Sequence, residues 1–115
     1  MTTDCLFCKI RDGQIPAAVT YRDDHVFAFK DIAPKAPFHQ LVVPLRHVAR
    51  LADAGPDDAV LLGRLMLAGA RLAREAGYGE SGFRVVMNSG AEAGQTVLHV
   101  PMHVLAGRPL TWPPG

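Results

Sequence analysis

Three positions near the C-terminus carry the strongest chemical signal. His99, Pro101 and His103 stand at i, i+2 and i+4, so on a β-strand all three point to one face, with neighbours roughly 6 to 7 Å apart. Val100, Met102 and Val104 then face the opposite way, into a core. Imidazole titrates near neutral pH and serves as acid, base, nucleophile or metal ligand. Two on one face read either as a functional pair or as two packed or solvated histidines. Just upstream, Asn88-Ser89-Gly90-Ala91-Glu92-Ala93-Gly94-Gln95-Thr96 forms a glycine-bearing loop. Its amides, the Thr96 hydroxyl and the Asn88 amide offer donors to an anion, although a plain tight connection uses the same residue types. The loop is neither a Walker loop nor a dinucleotide fingerprint, because it contains no G-x-x-x-x-G-K-[ST] or G-x-G-x-x-G.

A second group lies at the other end. Cys5 and Cys8 are the only cysteines, too few for a secreted disulfide scaffold of this length. Their spacing lets two thiolates hold one zinc ion, with two histidines from elsewhere completing a tetrahedral set; His47 and His99 are candidates. A disulfide-forming redox pair and two buried thiols remain the other readings. His25, after Asp23-Asp24, reads as a solvated turn residue.

These groups need elements to hold them. The chain has 115 residues, 49% of them hydrophobic and 20% charged, which predicts a single folded domain over residues 1–115. A net charge of +1 supplies no basic field for a phosphate backbone, so nucleic acid is not an expected partner. No apolar run approaches the roughly 20 residues that cross a bilayer, and the opening Met1-Thr2-Thr3-Asp4 has no signal-peptide character; the expectation is a cytoplasmic protein without membrane contact. Short strand-forming runs and turn residues predict strands over 18–21 and 26–29, joined by Asp23-Asp24 as a hairpin, and over 39–43, stopping near Pro44. His39 and His47 flank this third strand. Two further strands are expected over 83–87 and from 97 onward to 105.

Asp57 or Asp58, after Gly55-Pro56, is placed to cap a long helix running to residue 76, where Gly77 supplies a left-handed stop. Its apolar positions include Val60, Leu61, Leu62, Leu65, Met66, Leu67, Leu72 and Ala73, leaving a narrow polar stripe of Arg64, Arg71, Arg74 and Glu75. Such a helix wants covering on most sides, by a subunit partner or by being laid flat on a sheet. The expected fold class is α+β, a mostly antiparallel sheet of about five strands with one long helix.

The run Gly94-Gln95-Thr96-Val97-Leu98-His99-Val100-Pro101-Met102-His103-Val104-Leu105-Ala106-Gly107-Arg108, followed by Trp112-Pro113-Pro114-Gly115, resembles the signature of the histidine-triad (HIT) superfamily, specifically its Hint branch. Phe7-Cys8-Lys9-Ile10, Ile15-Pro16-Ala17, Ala28-Phe29-Lys30-Asp31-Ile32-Ala33-Pro34, the stretch 39–47 and Asn88-Ser89-Gly90 are similar to Hint segments in the same order. The resemblance implies a homodimer that holds a purine nucleoside monophosphate, or its phosphoramidate, against the sheet. By position, Phe7, Ile10, Phe29 and Ile32 would line the base and sugar pocket, and Asp31 would bond the ribose hydroxyls. Asn88, Gly94, Gln95, Thr96 and His103 would hold the phosphate. In the family reaction the middle histidine attacks the α-phosphorus of a nucleoside phosphoramidate, and water then hydrolyses the nucleotidyl-histidine. The Trp112-bearing tail would reach toward the partner's pocket. The resemblance also implies a closed structural zinc site of Cys5, Cys8, His47 and His99.

One departure from the pattern bears directly on activity. The nucleophile's position holds Pro101, whose nitrogen is already an amide and neither attacks phosphorus nor carries a proton. Loss of a nucleophile costs on the order of 10⁴ to 10⁶ in rate in well-studied hydrolases. His39, His99 and His103 remain as supporting histidines, but His99 and His103 each sit a pleat period from the point of attack. The expectation is a nucleotide-binding protein of the phosphoramidate hydrolase type, impaired in turnover; the alternative is a non-catalytic nucleotide-binding or sensor module.

Overall fold

The computed structural model describes residues 5–115. Five strands form one antiparallel sheet in the order β1-β2-β3-β5-β4, namely β1 Val19–Arg22, β2 Val26–Lys30, β3 Phe38–Pro44, β4 Phe83–Val86 and β5 Met102–Ala106. The first hairpin closes as its turn residues predict, because Asp23 Oδ1 accepts from the backbone N–H groups of His25 and Val26 at 2.7 and 2.8 Å. His25 is exposed beside it.

Two elements differ from expectation. The last strand starts at Met102 rather than at Val97. Residues 97–101 are irregular, yet the alternation survives, with Val100, Met102 and Val104 buried in one core cluster. The other difference is a short helix, α1 Leu6–Arg11. Its six residues are too few for a 3.6-residue period to stand out, and it forms because Phe7, Cys8 and Ile10 bury one side of it.

The long helix is α2 Ala59–Glu75. Asp58 acts one turn early, its Oδ2 accepting from Gly55 N–H at 2.9 Å to close the 3₁₀ turn Pro56–Asp58. At the other end Gly77 takes φ +94°, as a left-handed stop requires.

The sheet separates two cores by the period of two. Val26, Ala28, Val42, Met102 and Val104 pack against Leu65, Ala68 and Ala73 of α2. On the opposite face Phe27, Phe29, Leu41 and Val43 pack against Phe7 and Ile10 of α1. The sheet thus covers one side of α2, while Val60, Met66 and Leu67 remain exposed. No helix among the described residues is long and apolar enough to cross a membrane.

Candidate functional site

β3 and β5 bring two histidines together. Leu41 is paired with His103 and His39 with Leu105, so His39 and His103 are diagonal neighbours on the α1 face of the sheet, within side-chain reach. His39 Nε2 lies 2.9 Å from His103 Nδ1. The backbone N–H of Lys35 donates to His39 Nδ1 at 3.0 Å, which makes that nitrogen an acceptor and leaves the proton on Nε2. His39 therefore donates to His103, whose own proton sits on Nε2. Asp31 Oδ2 stands 3.4 Å from His39 Nε2, while its Oδ1 accepts from Ala33 N–H at 2.8 Å. Burial pushes both imidazoles below the usual histidine pKa; Asp31 opposes that shift at both, and Lys35 adds to it at His39. The pair is neutral at pH 7. The three side chains also lie close enough to be considered as metal ligands, but a protonated His39 Nε2 has no lone pair to give, so the cluster reads as a proton-ordered pair.

His103 opens onto a cleft of about 430 Å³. One wall is apolar, built of Phe7, Ile10, Phe29 and Leu41, and Asp31 and the almost fully exposed Ile32 stand at its rim. Phe7 packs edge-on to Phe29 at a centroid distance of 5.7 Å. Asn88, Gly94, Gln95, Thr96, Pro101 and His103 line the polar end. Every nucleotide-contact residue expected from the sequence thus lines this one cleft. Gln95 is buried and holds the loop together: its Nε2 donates to the carbonyls of Ala49 and Val97, and its Oε1 accepts from Gly90 N–H. Pro101 is buried and lines the same cleft as His103, where its ring offers neither donor nor acceptor.

His99 belongs to a different cluster. Its Nδ1 is 3.3 Å from both Cys5 Sγ and Cys8 Sγ, and His47 Nδ1 is 3.3 Å from Cys8 Sγ. The four ligand atoms lie within 4.8 Å of one another, and no disulfide joins the cysteines. A tetrahedral zinc with bonds of about 2.0 to 2.3 Å sets its ligand atoms about 3.3 to 3.8 Å apart, so the residues present fit that ion. His99 Nε2 donates to the carbonyl of Pro44 at 2.7 Å, which turns the Nδ1 lone pair toward the cysteines, the second contact usual for a metal-bound imidazole. Burial lowers the His99 pKa to about 4, and burial together with Cys5 raises the Cys8 thiol to about 11. A cation at this point favours the thiolate and the neutral ring together.

Two partners in this geometry carry no sequence signal. Lys35 and Pro44 act through backbone groups, so no residue type or spacing marks them.

Residues 12–110 match the HIT domain. The chain belongs to the HIT family. An uncharacterised HIT-like protein of Synechocystis is 48% identical over the full length of both chains. The crystal structure of a HIT family hydrolase from Legionella pneumophila superposes with a TM-score of 0.96 at 45% identity, covering 97% of this chain and 100% of that one. A histidine triad nucleotide-binding protein from Candida albicans is similar at TM-score 0.79 and 33% identity, over 88% of this chain and 73% of that one. A zinc-bound histidine triad family protein from Mycobacterium smegmatis is similar at TM-score 0.78 and 35% identity, over 91% and 76%. The five-stranded sheet with its long helix is the HIT fold, here with Pro101 in the HIT motif.

Proposed function

We propose that this HIT protein is of the Hint type, that it binds a purine nucleoside monophosphate group in the cleft, and that Pro101 leaves it impaired as a nucleoside phosphoramidate hydrolase. The observation that carries the reading is that Pro101 and His103 line the same cleft as Asn88 and Thr96. In this reading the base and sugar rest on Phe7, Ile10, Phe29 and Ile32, Asp31 takes the ribose hydroxyls, and the phosphoryl oxygens meet Thr96, Asn88, the Gly94–Gln95 backbone and the His103 Nε2–H. His39 keeps that proton on Nε2 by filling His103 Nδ1. The nucleotide-binding relative supports the ligand class, and the hydrolase relative supports the reaction class. Cys5, Cys8, His47 and His99 would hold zinc, supplying a closed structural cross-link with no open position for water. The exposed Val60, Met66 and Leu67 of α2 and the exposed Trp112 support a homodimer. Two thiols poised for a metal suit a reducing, cytoplasmic setting.

Turnover of an adenosine phosphoramidate by the chain and by its Pro101→His variant tests this. A gain on the order of 10⁴ or more supports an enzyme that lacks only its nucleophile. A second reading, a non-catalytic nucleotide-binding or sensor module, is favoured by the ordered His39–His103 pair, which persists without a nucleophile to serve. AMP binding together with no gain in Pro101→His selects it, and absence of AMP binding to either protein rejects both.

A further inference from the structure

A second cavity of about 620 Å³ adjoins the first and shares Asp31, Asn88, Thr96 and His103 with it. The four shared residues are those assigned to ribose and phosphate, so the two cavities meet where phosphorus would sit. Beyond that point they differ in chemistry. The first continues into apolar walls that suit a base, whereas the second continues past His39 to Lys35, Val86 and Leu105. Lys35 is the only Lys or Arg lining either cavity among the described residues. Its side chain is in no ion pair among those residues.

The backbone at Lys35 is fixed from both sides. Its N–H bonds His39 Nδ1 and its carbonyl accepts from Arg108 Nε at 2.9 Å. The ammonium therefore starts from a Cα tied to the phosphate-facing histidine pair, and its charge is felt at His39. An unpartnered cation beside a cavity of this size is complementary to an anion.

We infer that the second cavity receives the group on the far side of phosphorus from the nucleoside, and that Lys35 selects compounds in which this group carries a carboxylate or phosphate. The inference rests on the nucleotide reading and narrows it to nucleotidyl compounds with an anionic substituent. Val86 and Leu105 leave room for a short carbon linker between phosphorus and that charge.

Calorimetry with the intact protein tests it, using AMP and three adenosine phosphoramidates that share one phosphorus centre: N-linked ethylamine as the neutral probe, N-linked glycine for the carboxylate, and N-linked phosphoethanolamine for the phosphate. Chromatography of the recovered compounds checks that they stay intact. At least one anionic probe is expected to bind about two- to fivefold more tightly than the ethylamine compound, the range of a partly exposed ion pair. The preference should shrink with added salt, vanish in Lys35→Ala and reverse in Lys35→Glu. Which anion gains more identifies its chemical source. Both variants keep the backbone bonds to His39 and Arg108, and the readout in each is the ratio of anionic-probe to ethylamine-probe affinity, from which a uniform effect of Lys35 on the shared phosphorus centre cancels. Equal binding of all three probes, or a preference that survives Lys35→Glu, overturns the inference alone. Failure to bind AMP overturns the nucleotide reading, and this inference with it.

Discussion

His39 donates to His103 across the β3–β5 ladder at 2.9 Å, and the backbone N–H of Lys35 sets the direction of that bond. A buried imidazole in contact with a half-buried one favours the neutral form of both, since a proton on either places a charge in a poorly solvated site. The folded-state pKa values lie below the unfolded value near 6.5, so the unfolded chain takes up protons first. The pair's contribution is present above about pH 6.5 and is lost as pH falls through the lower folded values. Melting curves from pH 5 to 8 should show a gap between the unmodified chain and a His39→Asn/His103→Asn double variant that narrows toward acid. A gap independent of pH would contradict the neutral, directional pair.

Asp31 lines the cleft, its Oδ1 accepting from Ala33 N–H and its Oδ2 standing 3.4 Å from His39 Nε2. Asp31→Asn keeps an acceptor for Ala33 but removes the charge offered to ribose hydroxyls. A lost charged hydrogen bond is worth about 1.5 to 3 kcal/mol, so AMP affinity should fall about 10- to 100-fold. Inorganic phosphate, measured by competition, should be unaffected.

Metal analysis should find about one zinc per chain, the capacity of a single four-ligand site. Cys5→Ser/Cys8→Ser should lose it and melt at a lower temperature. The same variant should also bind AMP more weakly, because α1 carries Cys8 on the side that meets His99 and presents Phe7 and Ile10 to the cleft. Phe7 touches the His99 ring edge-on at 6.0 Å as well as Phe29. Unchanged AMP affinity in metal-free protein would separate the two sites.

Gly107 follows β5 at φ +99°, and a Cβ there would lie 2.8 Å from Cβ of Pro37. Gly107→Ala meets both a left-handed backbone and a clash, so chemical denaturation should show a loss of about 1 to 3 kcal/mol. Nucleotide binding at saturating ligand should persist.

Much of this protein was legible along the chain because the informative patterns are local. Short apolar runs bounded by turn residues and Pro44 marked β2 and β3, and the spacing of two marked the face of Val100, Met102 and Val104; Gly55-Pro56 and Gly77 bracketed α2; and proline chemistry alone marks position 101 as unable to attack phosphorus. The resemblance placed Cys5, Cys8, His47 and His99 in one ligand set and the cleft residues in another. Tertiary structure decided the rest, since it depends on contacts between distant segments. α1 is helical because Phe7, Cys8 and Ile10 are buried, not because of a readable period. β5 starts late because ladder pairing with β3 extends only to Met102, opposite Val42. The proton order of His39 and His103 comes from a backbone N–H at Lys35, and His99 is oriented by a carbonyl at Pro44. Backbone groups are the same at every residue, so only the path of the folded chain brings these two to a histidine.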